Sequence, residues 1–352
     1  MGCKVGNTLA HRTSQVHIGL ERAAAVMRSR RLGGVRHMAA VKFEDVREAA
    51  ARIDGIVAYT PVLTSPALDS MAGRRLFFKC ENLQHVGAFK FRGASNAVAL
   101  LGEEAERGIC THSSGNHAQA VALAAKQRGV SAYIVMPDTA PRVKIEGVRS
   151  HGAEITFCEP TLEARERTAA AVMERTGAAF VHPFDDPRVV AGQGTAALEL
   201  INEVGPLDAI IAPIGGGGLL SGTCVTTRAL LPEARIFGAE PTGADDAARS
   251  LAAGHLIPQT GPNTICDGLL TSLSDLTYGI LSEHLEDIIT VTDEEVLAAM
   301  SLIKNHLDIV VEPSSATVLA AVLSPEFSAL SGIDSLGLIL SGGNVDPEQF
   351  PN

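Results

Sequence analysis

The chain has 352 residues and a formal net charge of −11, with 46% hydrophobic and 20% charged residues. That length is more than one hydrophobic core usually serves, so two lobes are expected. The acidic balance argues against a nucleic-acid partner, which calls for a basic face, and no apolar run approaches the roughly 20 residues of a membrane span. Six scattered cysteines without a C-x-x-C pair indicate neither a zinc site nor a disulfide framework, and fit reduced thiols in an intracellular protein.

Residues 1–40 form an N-terminal extension unlike the rest, with seven Lys and Arg against the single acid Glu21. Arg-rich, acid-poor composition fits an organellar transit peptide; a disordered tail, or a true start at Met38, fits as well. The expected location is cytoplasmic, or organellar if 1–40 is a targeting segment. Met1-Gly2-Cys3 hints at acylation, but Gly6 stands where that pattern wants Ser or Thr.

From Val41 short apolar runs alternate with Ala-rich amphipathic stretches, the pattern of an α/β protein. Phe43–Ile53 reads as a helix, and Thr60-Pro61 breaks the chain after it. Strands are expected at 76–80, 108–111, 132–136, 154–158 and 179–182, with helices at 91–101 and from His117 to Arg128. A second series of strands is expected at 209–214, 236–239, 288–291 and 336–340, Pro213 being tolerable only near a strand end. The expected division is a large domain of 41–107 with 184–352 and a small domain of 108–183. Eight residues follow Asn344, too few for a further regulatory domain.

Four stretches carry chemistry. Lys90 stands between Phe89 and Phe91 at a strand-to-helix handover; apolar neighbours lower a lysine pKa, and a neutral amine is what a Schiff base needs. Taken alone, such a lysine is also an ordinary surface residue beside two core phenylalanines. Gly215-Gly216-Gly217-Gly218 follows an apolar strand and precedes a helix, where converging backbone N–H groups suit a phosphate. It is neither G-x-G-x-x-G nor a Walker A loop, so a dinucleotide or ATP fingerprint is absent. Ser113-Ser114-Gly115-Asn116-His117 makes a turn suited to a carboxylate, although Ser and Asn also serve as plain helix caps. Ser341-Gly342-Gly343-Asn344 lies at the end of the last strand, where ligands gather in open α/β sheets.

Together and in this order, these motifs resemble the fold type II pyridoxal-phosphate (PLP) enzymes, specifically the serine racemase and serine/threonine dehydratase group of plant and fungal type. The stretches that carry the resemblance are Phe77–Gly93, Thr111–His117, Ala191–Thr195 and Leu340–Asp346. The resemblance implies a tryptophan synthase β-like fold, two open twisted α/β domains with the active site between them. It implies Lys90 as the Schiff-base lysine and Ser114 as a second base on the opposite face of the substrate Cα. The phosphate would lie on Gly215, Gly216, Gly217 and Gly218, the ring 3-oxygen on Asn116, and the ring nitrogen at Ser341. Ser113, Ser114, Asn116 and His117 would bind the substrate carboxylate, with Arg165 helping to close the small lobe. Glu240, the Ala244 carbonyl and Asp246 match positions that hold Mg²⁺ or Ca²⁺, with Mn²⁺ as another candidate; by spacing alone they read as a solvated acidic loop. A homodimer and a small hydroxy-amino-acid substrate are also implied. Two departures stand out: Ala88 replaces the Ser of many dehydratases, a trait of the plant and fungal subgroup, and His85-Val86 replaces the Lys-Thr of the mammalian nucleotide site, which leaves ATP activation open.

The expected activity is interconversion of L- and D-serine with accompanying β-elimination to pyruvate and ammonia. A dedicated dehydratase of serine, threonine or threo-3-hydroxyaspartate is the alternative, and a non-catalytic PLP-binding protein a third reading.

Overall fold

A computed structural model describes residues 41–113, 115–140 and 142–346; residues 1–40 and Ser114, on which two of the expectations fall, lie outside the described residues. The order begins with α1 (Phe43–Ile53), β1 (Val62–Leu63), α2 (Pro66–Ala72), β2 (Arg75–Cys80) and α3 (Lys90–Leu100). It continues through β3 (Ile109–His112), α4 (Asn116–Arg128), β4 (Ala132–Pro137), α5 (Arg142–Ser150), β5 (Glu154–Cys158), α6 (Leu162–Thr176) and β6 (Ala179–Phe180). Then come α7 (Pro187–Val204), β7 (Ala209–Pro213), α8 (Gly218–Leu230), β8 (Arg235–Pro241), α9 (Asp246–Ala253) and α10 (Asp275–His284). The last elements are β9 (Asp287–Val291), α11 (Asp293–Leu307), α12 (Pro313–Leu323), α13 (Pro325–Ser328) and β10 (Ser335–Leu340).

The strands form two sheets. One has six strands in the order β1-β2-β10-β7-β8-β9, all parallel except β1; the other has four in the order β5-β4-β3-β6, all parallel. Every residue of β7 and β10 is buried, as expected of parallel strands covered by helices on both faces. In α1 the buried residues are Val46, Ala49 and Ile53, at helical spacing, while Glu44, Asp45 and Glu48 face water. These are the two α/β units implied by the sequence.

Two elements depart from the expected ones, and Pro213 falls at a strand end as expected; each has a local cause. The strand β1 is two residues long and pairs antiparallel with β2, too short for any periodicity to show. Pro213 closes β7, at the position where a missing N–H costs least. The strand β6 stops at Phe180 because the chain turns at His182, whose Nδ1 accepts the backbone N–H of Phe184 at 3.3 Å and of Asp185 at 2.8 Å.

Helix α3 joins the two units, packing on α4 and on α7. The contact with α7 is close enough that a Cβ at Gly192 would lie 2.6 Å from the Gly93 Cα. Two residues after Lys90, Arg92 is fully buried and binds Glu81 (Nε–Oε2 2.7 Å) and Glu199 (Nη1–Oε1 2.6 Å). Despite burial, Arg92 holds the Glu81 carboxyl below its usual range. A charge placed there without partners would cost several kcal/mol, so the network fixes the start of α3 relative to the large sheet.

Candidate active site

The carboxyl ends of β3, β7 and β10 and the start of α3 converge on a cavity of ≈ 1550 Å³ whose walls come from both units. This is where open α/β sheets place ligands. Lys90, Ser113, Asn116, His117, the four glycines Gly215–Gly218 and Ser341 all line it, so residues as far apart in the chain as Lys90 and Ser341 meet in one place.

Lys90 opens α3 and is half-buried. Its Nζ donates to the Pro183 carbonyl at 3.0 Å and lies 5.0 Å from the centre of the Phe89 ring. Burial pushes the ammonium down to about 8, with the Glu312 charge pulling the other way. A lysine so placed becomes a neutral nucleophile near physiological pH.

The glycine run follows the last ladder bond of Ile214 and leads into α8, which begins without a side-chain cap. A Cβ at Gly216 would lie 2.2 Å from the Phe184 ring, and one at Gly217, where φ is +82°, would lie 2.8 Å from Leu273 Cδ2. The run must therefore be glycine, and its bare backbone faces the cavity at a helix N-terminus, a cradle that fits a phosphate.

Asn116 is held on both sides: its Nδ2 donates to Glu312 Oε1 at 2.8 Å and Oε2 at 3.1 Å, and its Oδ1 accepts from Asn344 Nδ2 at 3.0 Å. Burial raises the Glu312 carboxyl to about 7. His117 is buried with Nε2 3.3 Å from the Val181 carbonyl and Nδ1 unpartnered among the described residues. Burial, then the Lys90 charge, push its pKa well down, so it stays neutral. Ser113 Oγ accepts the Gly115 N–H at 3.3 Å. Ser341 is buried at the floor, its carbonyl accepting the Phe89 N–H at 3.0 Å. Arg165 is half-buried on the small-unit wall, with Nε unpartnered among the described residues.

Several wall residues were not anticipated from the sequence: Glu312, Lys144, Asp267, His112, His182 and Phe184. Burial, then His182 and Arg165, push His112 down to about 3. They come from β3, α5, the 182–184 loop, the 267–269 turn and the residue before α12, so no single local spacing marks them.

Glu240, Ala244 and Asp246 gather away from this cavity, at the end of β8 and the start of α9. All three are buried. Glu240 accepts the N–H groups of Ala247 and Ala248 at 3.0 and 2.9 Å. Both Asp246 carboxylate oxygens are buried without a hydrogen-bond partner among the described residues. An orphaned buried carboxylate is what a bound cation would satisfy, so this donor set fits a hard divalent ion. Among the described residues no three His, Cys, Asp or Glu side chains cluster as a metal site; two carboxylates and a carbonyl would have to serve.

A paired α/β fold with a half-buried lysine and a glycine run that fits a phosphate, both lining one cavity, defines a PLP-dependent enzyme. The chain belongs to the pyridoxal-phosphate dependent enzyme family, whose description matches residues 53–342. It is 50% identical over 312 residues to a serine racemase of Dictyostelium discoideum, covering 88% of this chain and 96% of that protein. It is also 50% identical to a beta-hydroxyaspartate dehydratase of Paracoccus denitrificans, covering 88% of this chain and 98% of that one. Among solved structures, that of maize serine racemase superposes with a TM-score of 0.87 at 47% identity, covering 88% of this chain and 95% of that chain.

Proposed function

We propose that this chain is a serine racemase with accompanying dehydratase activity. The observation that carries the reading is Lys90: a half-buried lysine with a lowered pKa, in one cavity with the glycine run and with Ser113, Gly115, Asn116 and His117. Fifty per cent identity to a serine racemase supports the substrate.

Bound PLP supplies an electron sink for negative charge developing at the substrate Cα. The chain's own groups do the rest. The Lys90 amine removes the Cα proton from one face. Ser113, Asn116 and His117 hold the substrate carboxylate, and Arg165 closes the small unit over it. Ser341 would hold the ring nitrogen through a neutral hydroxyl. Ser114 serves the opposite face: return of a proton there inverts the centre, whereas loss of the β-hydroxyl leads to pyruvate and ammonia. We take 41–107 with 184–352 as the large domain and 108–183 as the small one.

Glu240, the Ala244 carbonyl and Asp246 would hold Mg²⁺, Ca²⁺ or Mn²⁺; the support is the orphaned Asp246 carboxylate. No nucleotide role is assigned to His85 and Val86. A homodimer is part of the reading. Its support is exposed Ile56, Tyr59, Leu83 and Val310, whose segments are joined by hydrogen bonds between Ala58 and Gln84 and between Asn82 and Val310. Among the described residues no helix is long and apolar enough to cross a membrane.

A second reading, a dedicated 3-hydroxyaspartate dehydratase, is favoured by the equally similar Paracoccus protein. The deciding experiment incubates the protein with PLP, Mg²⁺ and L-serine and quantifies D-serine and pyruvate by chiral chromatography beside a Lys90→Ala control. Both products, absent in the control, support the racemase. Pyruvate alone, or turnover of 3-hydroxyaspartate but not serine, supports the dehydratase.

A further inference from the structure

Lys144 is a cation the reaction above does not use. It is 5% exposed, a rare state for a lysine. It projects from α5 of the small unit and forms an ion pair through Nζ with Asp267 Oδ2. Asp267 belongs to the turn 267–269 on the large-unit side of the cavity, and both residues line the cavity walls. The pair therefore crosses the cleft.

Its small-unit end is built with care. A Cβ at Gly115 would lie 3.0 Å from Lys144 Cδ and 3.3 Å from its Nζ, so the side chain runs directly along the Gly115 backbone. A Cβ at Gly147 would lie 2.3 Å from Gln119 Oε1. Two glycines thus let α5 dock against the first turns of α4 and bring the ammonium beside the turn that precedes α4. On its other side the same turn is held by Glu312, which accepts from Asn116. Glu312 and Asp267 are neighbours, since the Lys144 and Asp267 charges both act on the Glu312 carboxyl and a Cβ at Gly268 would lie 4.0 Å from Glu312 Oε1. One turn of the small unit is thereby pinned to the large unit by two carboxylates, directly through Asn116 and indirectly through Lys144.

We propose that Lys144 is a positioning residue for substrate capture: its ion pair with Asp267 tethers the carboxylate-binding turn across the cleft, in register with the cofactor cradle. This rests on the reading of the 113–117 turn as the substrate-carboxylate site. The tether acts on the turn, not on the reacting atoms, so its loss weakens amino-acid binding while PLP loading and the chemical step persist.

The test uses PLP-loaded protein and the variants Lys144→Met, Asp267→Asn, the double variant and Asp267→Glu. Expected are a KM for L-serine raised about tenfold or more in each single variant, kcat within about threefold, and unchanged PLP affinity. The double variant should be no worse than either single one, because both break one interaction, and Asp267→Glu should recover most of the loss. Hydrogen exchange supplies a readout that needs no substrate: amides of Gly115–Gln119 should exchange faster in both single variants. Additive single effects, an unchanged KM or unchanged exchange would overturn the tether. Wild-type protein inert toward every amino acid while exchange responds as expected would instead overturn the assignment of the substrate, leaving the tether standing.

Discussion

At the scale of single residues, the site turns on how burial changes acidity. Lys90 has a folded pKa near 8 rather than the ordinary lysine value of 10.5, and burial is the main cause. The sign follows directly: a depressed amine loses its proton as pH rises through about 8, so its nucleophilic form is available at clearly lower pH than on a free lysine. In cofactor-free protein, the rate of PLP attachment followed by absorbance should therefore rise with a midpoint near pH 8; a midpoint near 10 would place Lys90 in water and remove the basis of its role. Ser114 gives the complementary prediction. If it serves the second face of Cα, Ser114→Ala should lower D-serine formation from L-serine at least about a hundredfold, within the range of losing a general acid–base group, while pyruvate formation falls by much less. Equal loss of both products would assign Ser114 to carboxylate binding alone.

At the scale of elements, the glycine run shows how a loop becomes a binding site by omission. Gly217 has φ +82° and lies against Leu273, so Gly217→Ala must strain the backbone or push Leu273 away. The large sheet does not depend on that turn's shape, whereas converging N–H groups do. PLP affinity measured by equilibrium dialysis should drop tenfold or more, with cofactor-free melting lowered by only a few degrees; an unchanged affinity would show that the phosphate sits elsewhere. The glycine run stood out in the sequence as a phosphate candidate because four consecutive glycines after a buried strand leave an unusually bare turn. Lys90, Asn116 and Ser341 stood out likewise as candidates, Asn116 and Ser341 just past a strand end and Lys90 at the start of a helix between two phenylalanines. Most strands were found to within a residue or two because parallel strands buried on both faces read as continuous apolar runs. What stayed hidden was whatever depends on partners far along the chain. Glu312 matters through Asn116, 196 positions away, and Lys144 through Asp267, 123 positions away. The sequence around either shows only an ordinary charged residue, and burial, which makes the charge significant, is decided by the assembled fold.

At the scale of the whole molecule, the acidic pocket of Glu240, Ala244 and Asp246 lies outside the cleft but connects to it. Asp246 is the first residue of α9, and Gln259 joins the region to the cavity wall, accepting from Arg249 Nη2 at 3.0 Å while its own N–H donates to Ser272 Oγ at 2.7 Å. Two buried carboxylates side by side, one with both oxygens unsatisfied, weaken the folded state unless a cation lies between them. A cation that binds only the folded chain stabilises it by mass action, about 2.7 kcal/mol at a hundred times Kd. For a chain of this size that corresponds to a melting-temperature rise of roughly 4 °C. Protein dialysed against EDTA should therefore melt lower by about that amount and recover on adding Mg²⁺ or Ca²⁺, with or without PLP present. Asp246→Asn should abolish the response, because an amide keeps the shape of the carboxylate without its charge. A recovery that survives Asp246→Asn would place the ion at another site, and the absence of any shift in the wild-type chain would leave the pocket as a buried acidic cluster that the fold tolerates without a metal.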